Sequence, residues 1–240
     1  MSLQNTLRDM MPDSVKEALR PVRNVLFRKY DAELSFWRYK HHKEGTFGNS
    51  FYKDMMLAMA QEASAEFVRG KVVADFGCGP RGSLAWADSA LLRIGIDVLA
   101  DRYADEFTQD IIAHNMVYVK STEKVIPLPS NMADIMFTLN AIDHVDHFPT
   151  ICSEIVRVLK PGGDFIASFN LEEKPSASEP QQLNESIVKN HLLDYLDIQS
   201  YRVTRKGPKE NIYAPFHDND LSYEPGQEGI LWVRAKKPLP

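Results

Sequence analysis

The stretch Val72-Val73-Ala74-Asp75-Phe76-Gly77-Cys78-Gly79-Pro80-Arg81-Gly82-Ser83, followed by Arg93-Ile94-Gly95-Ile96-Asp97-Val98, constrains this chain more than any other feature. One apolar run of strand length ends in a glycine cluster, and a second ends in an acid. That pattern predicts strand, glycine turn, helix and strand, with a ligand site beyond the carboxyl end of the first strand. Gly77, Gly79 and Gly82 match G-x-G-x-x-G, and Asp97 lies 20 residues past Gly77, where a ribose-binding carboxylate belongs. On spacing alone the site fits a nicotinamide dinucleotide.

Asp75 argues against that ligand. It ends the first strand two residues before Gly77, so a pyrophosphate on the turn would meet like charge in a partly dry cleft. A cationic cofactor without phosphate reverses the preference. A second block, residues 123 to 168, contains the strand-length run Asp134 to Leu139, then Asn140-Ala141-Ile142-Asp143-His144-Val145, and after a short link Leu159-Lys160-Pro161-Gly162-Gly163. Ile151, Ile155, Val158 and Leu159 share one helical face, and Pro161-Gly162-Gly163 is expected to stop that helix before a fifth strand.

The acid-x-Gly-x-Gly turn, the second acid at Asp97 and the Leu-Lys-Pro-Gly-Gly block together resemble class I S-adenosylmethionine-dependent methyltransferases of the small-molecule type, over roughly Val72 to Asn170. The resemblance implies a three-layer Rossmann-like α/β sandwich. Its mostly parallel seven-stranded sheet would have strand order 3-2-1-4-5-7-6 and close with a C-terminal antiparallel hairpin, Ile198–Val203 and Gly229–Ala235 here. It also implies S-adenosylmethionine as cofactor and S-adenosylhomocysteine as product. The cofactor would be held by Asp75, Gly77, Cys78, Gly79, Pro80 and Gly82 on the turn and by Asp97 and Val98 after the second strand. Asn140 and Ala141 after the fourth would complete the set. Gly77 and Gly79 let the backbone approach the methionine part, Asp97 accepts from the ribose hydroxyls, and Asp75 orients a water or the cofactor amine. Many relatives place an aspartate near the adenine; this chain reads Lys120-Ser121-Thr122-Glu123 there, so the contact falls to Ser121, Thr122 or Glu123.

Side chains after strand four should face the transferable methyl. His144 is the candidate general base for a hydroxyl acceptor, because an imidazole titrates near neutrality, with Asp143 or Asp146 orienting it. The alternative is that His144 packs under the cofactor. A magnesium-assisted reaction would need carboxylates where this chain has Asn140 and Asn170, so no metal is expected.

The rest of the chain sets the frame. Residues 1–70 read as a helical lid segment and 71–240 as the core, together one structural domain. The first 70 residues contain an amphipathic helix from Ser14 to Tyr30 and a longer one from Asn49 to Val68. Between them lies an aromatic, basic, glycine-punctuated stretch in which Phe36, Trp37, Tyr39 and Phe47 are candidate acceptor contacts. Lys16, Arg20, Arg23, Arg28 and Lys29 beside Val15, Leu19, Val22, Val25, Leu26 and Phe27 fit either a peripheral contact with anionic lipid or a solvated charged face. The segment Arg205 to Glu228 is long for a hairpin connection and is either functional or disordered. A net charge of −5 gives no general attraction to nucleic acid, and Cys78 and Cys152 in core elements suit a reducing cytoplasm. No apolar run approaches the roughly 20 residues of a membrane span. The expected activity is methyl transfer to a small-molecule acceptor at oxygen, such as a sugar, lipid or secondary metabolite. The rivals are an NAD(P)-dependent Rossmann oxidoreductase, for which no Tyr-x-x-x-Lys pair is found, and a non-catalytic S-adenosylmethionine-binding protein. Oligomeric state is not legible in the sequence.

Overall fold

Strands β1 (Val72–Phe76), β2 (Leu92–Asp97), β3 (Val117–Lys120), β4 (Ala133–Leu139), β5 (Leu159–Leu171), β6 (Asp197–Arg205) and β7 (Gly229–Lys236) form one sheet in the order β3-β2-β1-β4-β5-β7-β6. The first five run parallel and β7 lies antiparallel to both β5 and β6. The computed structural model describes residues 13–176, 179–208, 211–220 and 222–240, with side chains described from residue 29 onward. The order expected from the sequence and the C-terminal hairpin are both present. From β1 the chain winds first toward β2 and β3 and then toward β4 and β5, which puts a crevice at the carboxyl ends of β1 and β4.

Alternation along the strands builds two cores. Met136, Phe165, Ala167 and Phe169 face α5 (Phe148–Val158) and α6 (Glu185–His191), whose Ile151, Cys152, Ile155 and Val188 are buried with them. Ile135, Phe137, Ile166 and Trp232 point to the other face, onto Met55, Met56, Met59 and Ala60 of α2 (Phe51–Ala60). A third cluster joins Leu34 of α1 (Asp13–Glu44) and Phe47 to Leu99, Tyr103 of α3 (Ala100–Glu106) and Phe107, which α4 (Thr108–Ala113) follows.

Four local expectations are corrected. Helix α1 does not stop at Tyr30 but runs to Glu44, so Phe36 to Lys43 are helical; no Gly or Pro interrupts that stretch, and Gly45 at φ 79° closes it. The helix expected from Asn49 to Val68 ends at Ala60, capped by Gln61 in the left-handed region at φ 56°, and resumes as a 3-10 turn over Ala65–Val68. No helix follows the glycine turn, because residues 77–91 form successive turns instead. Three positive-φ glycines consume half of that short crossover, and Arg93 Nη1 donates to the Ala85 carbonyl at 2.9 Å in place of a helical partner. Finally, Pro161-Gly162-Gly163 does not end α5. Leu159 is already extended and pairs with Ala133, and the next paired position, Ile135 with Asp164, leaves residues 160–163 as an irregularity within β5. Proline excludes its preceding residue from helical geometry, so the ladder captures the chain before the glycines are reached. The side chains of the basic stretch Val15 to Arg28 lie outside the described residues.

Candidate functional site

The crevice holds a cavity of about 560 Å³ beyond the carboxyl ends of β1, β2 and β4, with α1 as one wall. Gly77, Cys78 and Gly79 form its floor. Gly77 has φ 73°, and a Cβ there would lie 2.2 Å from the Cβ of Ala141; Gly79 has φ 58°, and a Cβ would lie 3.0 Å from Cζ2 of Trp37. Both positions therefore require glycine on conformational and steric grounds. Gly82 serves a different purpose, since its missing Cβ makes room for the His114 ring at 2.3 Å. Cys78 is buried, its Sγ packed where a Cβ of Gly95 would stand, and burial pushes its thiol up.

Asp97 lines the cavity opposite the turn. Its Oδ2 accepts from the Gly79 amide at 3.0 Å and its Oδ1 from the Leu99 amide at 2.9 Å. Those bonds fix the carboxylate and still leave a lone pair on each oxygen for a ligand's hydroxyls. Burial pushes its carboxyl up to about 6, against the pull of the two amides. Val98, Ser121 and Thr122 continue the wall, although the Thr122 hydroxyl accepts from the Lys124 and Val125 amides. Glu123 is already occupied: Lys29 Nζ (3.1 Å) and Tyr30 OH (2.8 Å) donate to its Oε1, and the Asp146 amide (2.9 Å) donates to its Oε2. Lys29 Nζ also contacts Asp146 Oδ1 at 3.2 Å, so these groups pin α1 to the core and remove Asp146 as a partner for His144.

Asp75, Pro80 and Gly82 do not line the cavity. Asp75 shares with Val73 the α2 face of β1; its Oδ2 accepts from Ser83 Oγ and its Oδ1 has no partner. The period-2 alternation of a strand turns it toward the α2 side, so Asp75, expected to orient a water or the cofactor amine, is not part of the cavity lining. Burial pushes its carboxyl up to about 7.

At the end of β4, Asn140 takes the left-handed conformation at φ 43°, donates from Nδ2 to Tyr213 OH at 3.2 Å, and leaves its buried Oδ1 unpaired. Ala141 and His144 line the cavity with it. His144 Nε2 lies 3.6 Å from Glu179 Oε1 and 4.0 Å from Asp143 Oδ1. Asp143 sits behind the cavity wall, where Asn170 Nδ2 donates to its Oδ2 at 3.3 Å and burial raises its carboxyl, reinforced by Glu179. Among the described residues, no group of three or more His, Cys, Asp or Glu is placed to hold a metal ion.

Of the four aromatic lid residues, Phe36 and Trp37 reach the cavity. Tyr39 is 62% exposed on the outer side of α1, and Phe47 is buried against His41 and Phe107. Helical geometry separates them, because Phe36 and Trp37 share a face with Glu33 that Tyr39 does not. Sequence reasoning missed Lys29, Tyr30, Glu33, Tyr52, Tyr103, Glu179 and Tyr213 as cavity residues. Only Tyr213 had a signal, the unusual length of the β6–β7 connection, which carries the short helix α7 (Ala214–His217) and folds Ile212 and Tyr213 into the site.

A doubly wound, mostly parallel sheet with a glycine turn and a terminal acid at its switch point defines a Rossmann-like fold. Residues 74–167 match the family model described as a methyltransferase domain. It is 32% identical over 167 residues to a malonyl-[acyl-carrier protein] O-methyltransferase of Enterobacter lignolyticus, covering 67% of this chain and 63% of that protein. It is 30% identical over 87 residues to a ubiquinone/menaquinone biosynthesis C-methyltransferase of Stutzerimonas stutzeri, covering 35% and 31%. The chain thus spans less than two thirds of either relative. The crystal structure of a putative sarcosine dimethylglycine methyltransferase from Galdieria sulphuraria shares the fold, with a TM-score of 0.62 over 84% of this chain and 97% of that one at 14% identity. No described helix is long and apolar enough to cross a membrane.

Proposed function

We propose that the chain is an S-adenosylmethionine-dependent methyltransferase that methylates a small molecule at oxygen. The observation that carries this reading is the charge of the cavity around its glycine cradle. Glu33, Asp97, Glu123 and Glu179 line it, and Lys29, the one Lys or Arg in the described lining, is bonded to two carboxylates. With no helix after β1, the turn also lacks the amide-rich helix N-terminus on which a dinucleotide's pyrophosphate rests. Both features favour a sulfonium-bearing nucleoside over NAD.

When bound, S-adenosylmethionine supplies an activated methyl carbon whose bonding electron pair stays on sulfur as the thioether. Gly77 and Gly79 would accommodate its methionine part, Asp97 would accept from its ribose hydroxyls, and Ser121 would be available to its adenine. The protein's task is then alignment of the acceptor, and His144 takes the proton that a hydroxyl loses. Asp143 and Glu179 stabilise the resulting imidazolium, and both lie within 4.0 Å of Nε2. The test is transfer of labelled methyl from S-adenosylmethionine to small molecules of a cell extract. His144→Gln should lower kcat 100-fold or more while cofactor Kd stays within twofold. Unchanged kcat would remove His144 as the base.

A further inference from the structure

The charge pattern at the acceptor end carries the reading one step further. The groups at the ends of β4 and β5 are Asn140, His144 and Asn170, with Asp143 behind them and Glu179 across from His144. The amide oxygens of Asn140 and Asn170 and Oδ1 of Asp143 are all buried without hydrogen-bond partners. Among the described residues, the nearby cation Lys206 is paired to Glu173, and Lys29 is paired to Glu123 and Asp146. The described lining of the acceptor end therefore offers hydrogen-bond acceptors, a base and the Glu179 carboxylate, and no free cation.

Such a site discriminates by charge. An acid acceptor is already ionised, needs no base, and needs a cation to offset its desolvation; here it would meet instead the Glu179 carboxylate, with Asp143 buried behind the wall. A neutral or cationic acceptor has a proton to lose when its lone pair takes the methyl, and His144 between Asp143 and Glu179 is placed to receive it. Resting on the methyl-transfer reading above, we infer that the acceptor is a neutral or cationic molecule methylated at a proton-bearing hydroxyl, and that carboxylic acids and phosphorylated or sulfated molecules are excluded.

The test separates a small-molecule cell extract by ion exchange into acidic, neutral and basic pools before any reaction. Each pool is incubated with the protein and methyl-labelled S-adenosylmethionine, and each is also mixed with protein saturated with S-adenosylhomocysteine for saturation-transfer NMR, which reads binding without turnover. The expected result is label and saturation transfer in the neutral or basic pool at tenfold or more over the acidic pool, with label stable to mild alkali. Label made mainly from the acidic pool, released as volatile methanol by alkali, overturns the inference and leaves the methyltransferase reading intact. Saturation transfer with no label in any pool overturns the methyltransferase reading itself, and the inference falls with it.

Discussion

Replacing Asp75 by Asn isolates one buried charge that the fold carries at a cost. Asp75 is 3% exposed, with one oxygen bonded to Ser83 and the other without a partner. Burial pushes its carboxyl up to about 7 from an ordinary 3.8, even though the Ser83 hydroxyl favours the ionised form. A carboxyl whose folded pKa lies above its unfolded value stays protonated in the native state between the two. Its contribution is complete below the unfolded pKa and disappears as pH rises through the folded one. Asp75→Asn keeps the shape, retains an oxygen for Ser83 Oγ–H, and removes the titration. The variant should therefore gain on the wild type as pH rises. Between pH 5 and 8 the gain should reach about 2 to 3 kcal/mol, or about 5 to 10 °C in Tm for a chain of this length. Thermal unfolding followed by circular dichroism at constant ionic strength, in half-unit pH steps, reads the difference directly. A Tm difference that stays constant across this range, or one that moves against the variant as pH rises, would refute the argument that Asp75 is buried with its charge uncompensated.

Other expectations follow from the same geometry. Gly77→Ala sets a Cβ 2.2 Å from that of Ala141 at φ 73°, and should cost about 2 to 4 kcal/mol in urea unfolding and weaken S-adenosylmethionine at least tenfold by calorimetry. Wild-type affinity in that variant would contradict the cradle. Lys29→Met removes the cation shared by Glu123 and Asp146 and should lower stability by about 1 to 3 kcal/mol, whereas exposed Lys53→Met should stay within about 0.5 kcal/mol. Equal losses in the two would mean that the Lys29 clamp adds nothing beyond a surface charge.

The glycine turn, Asp97 and the strand-four residues were legible in the sequence because each is local, whereas the order of the sheet came only with the family resemblance. Strand alternation, turn glycines and a terminal acid lie within a few residues of one another. Asp75 shows where local reading stops: its position in the motif was plain, but the face of β1 to which it points depends on register. The missing helix after β1 goes with the three positive-φ glycines of the short crossover, and Leu84 and Ala87 pack with Met55, Met56 and Met59 without helical order. Glu123 resembled a free adenine partner until Lys29 and Tyr30, 94 and 93 residues away, were seen to occupy it. Tyr213 and Glu179 reach the cavity from loops whose sequence carries no periodicity.

The most direct test of the account is calorimetric titration with S-adenosylmethionine, S-adenosylhomocysteine and NAD, on the wild type and on Asp97→Ala. The account predicts saturable binding of the two sulfur nucleosides, a loss of 100-fold or more in Asp97→Ala, and no heat from NAD. Binding of NAD with neither sulfur nucleoside would contradict the methyltransferase reading and return the glycine turn to dehydrogenase chemistry.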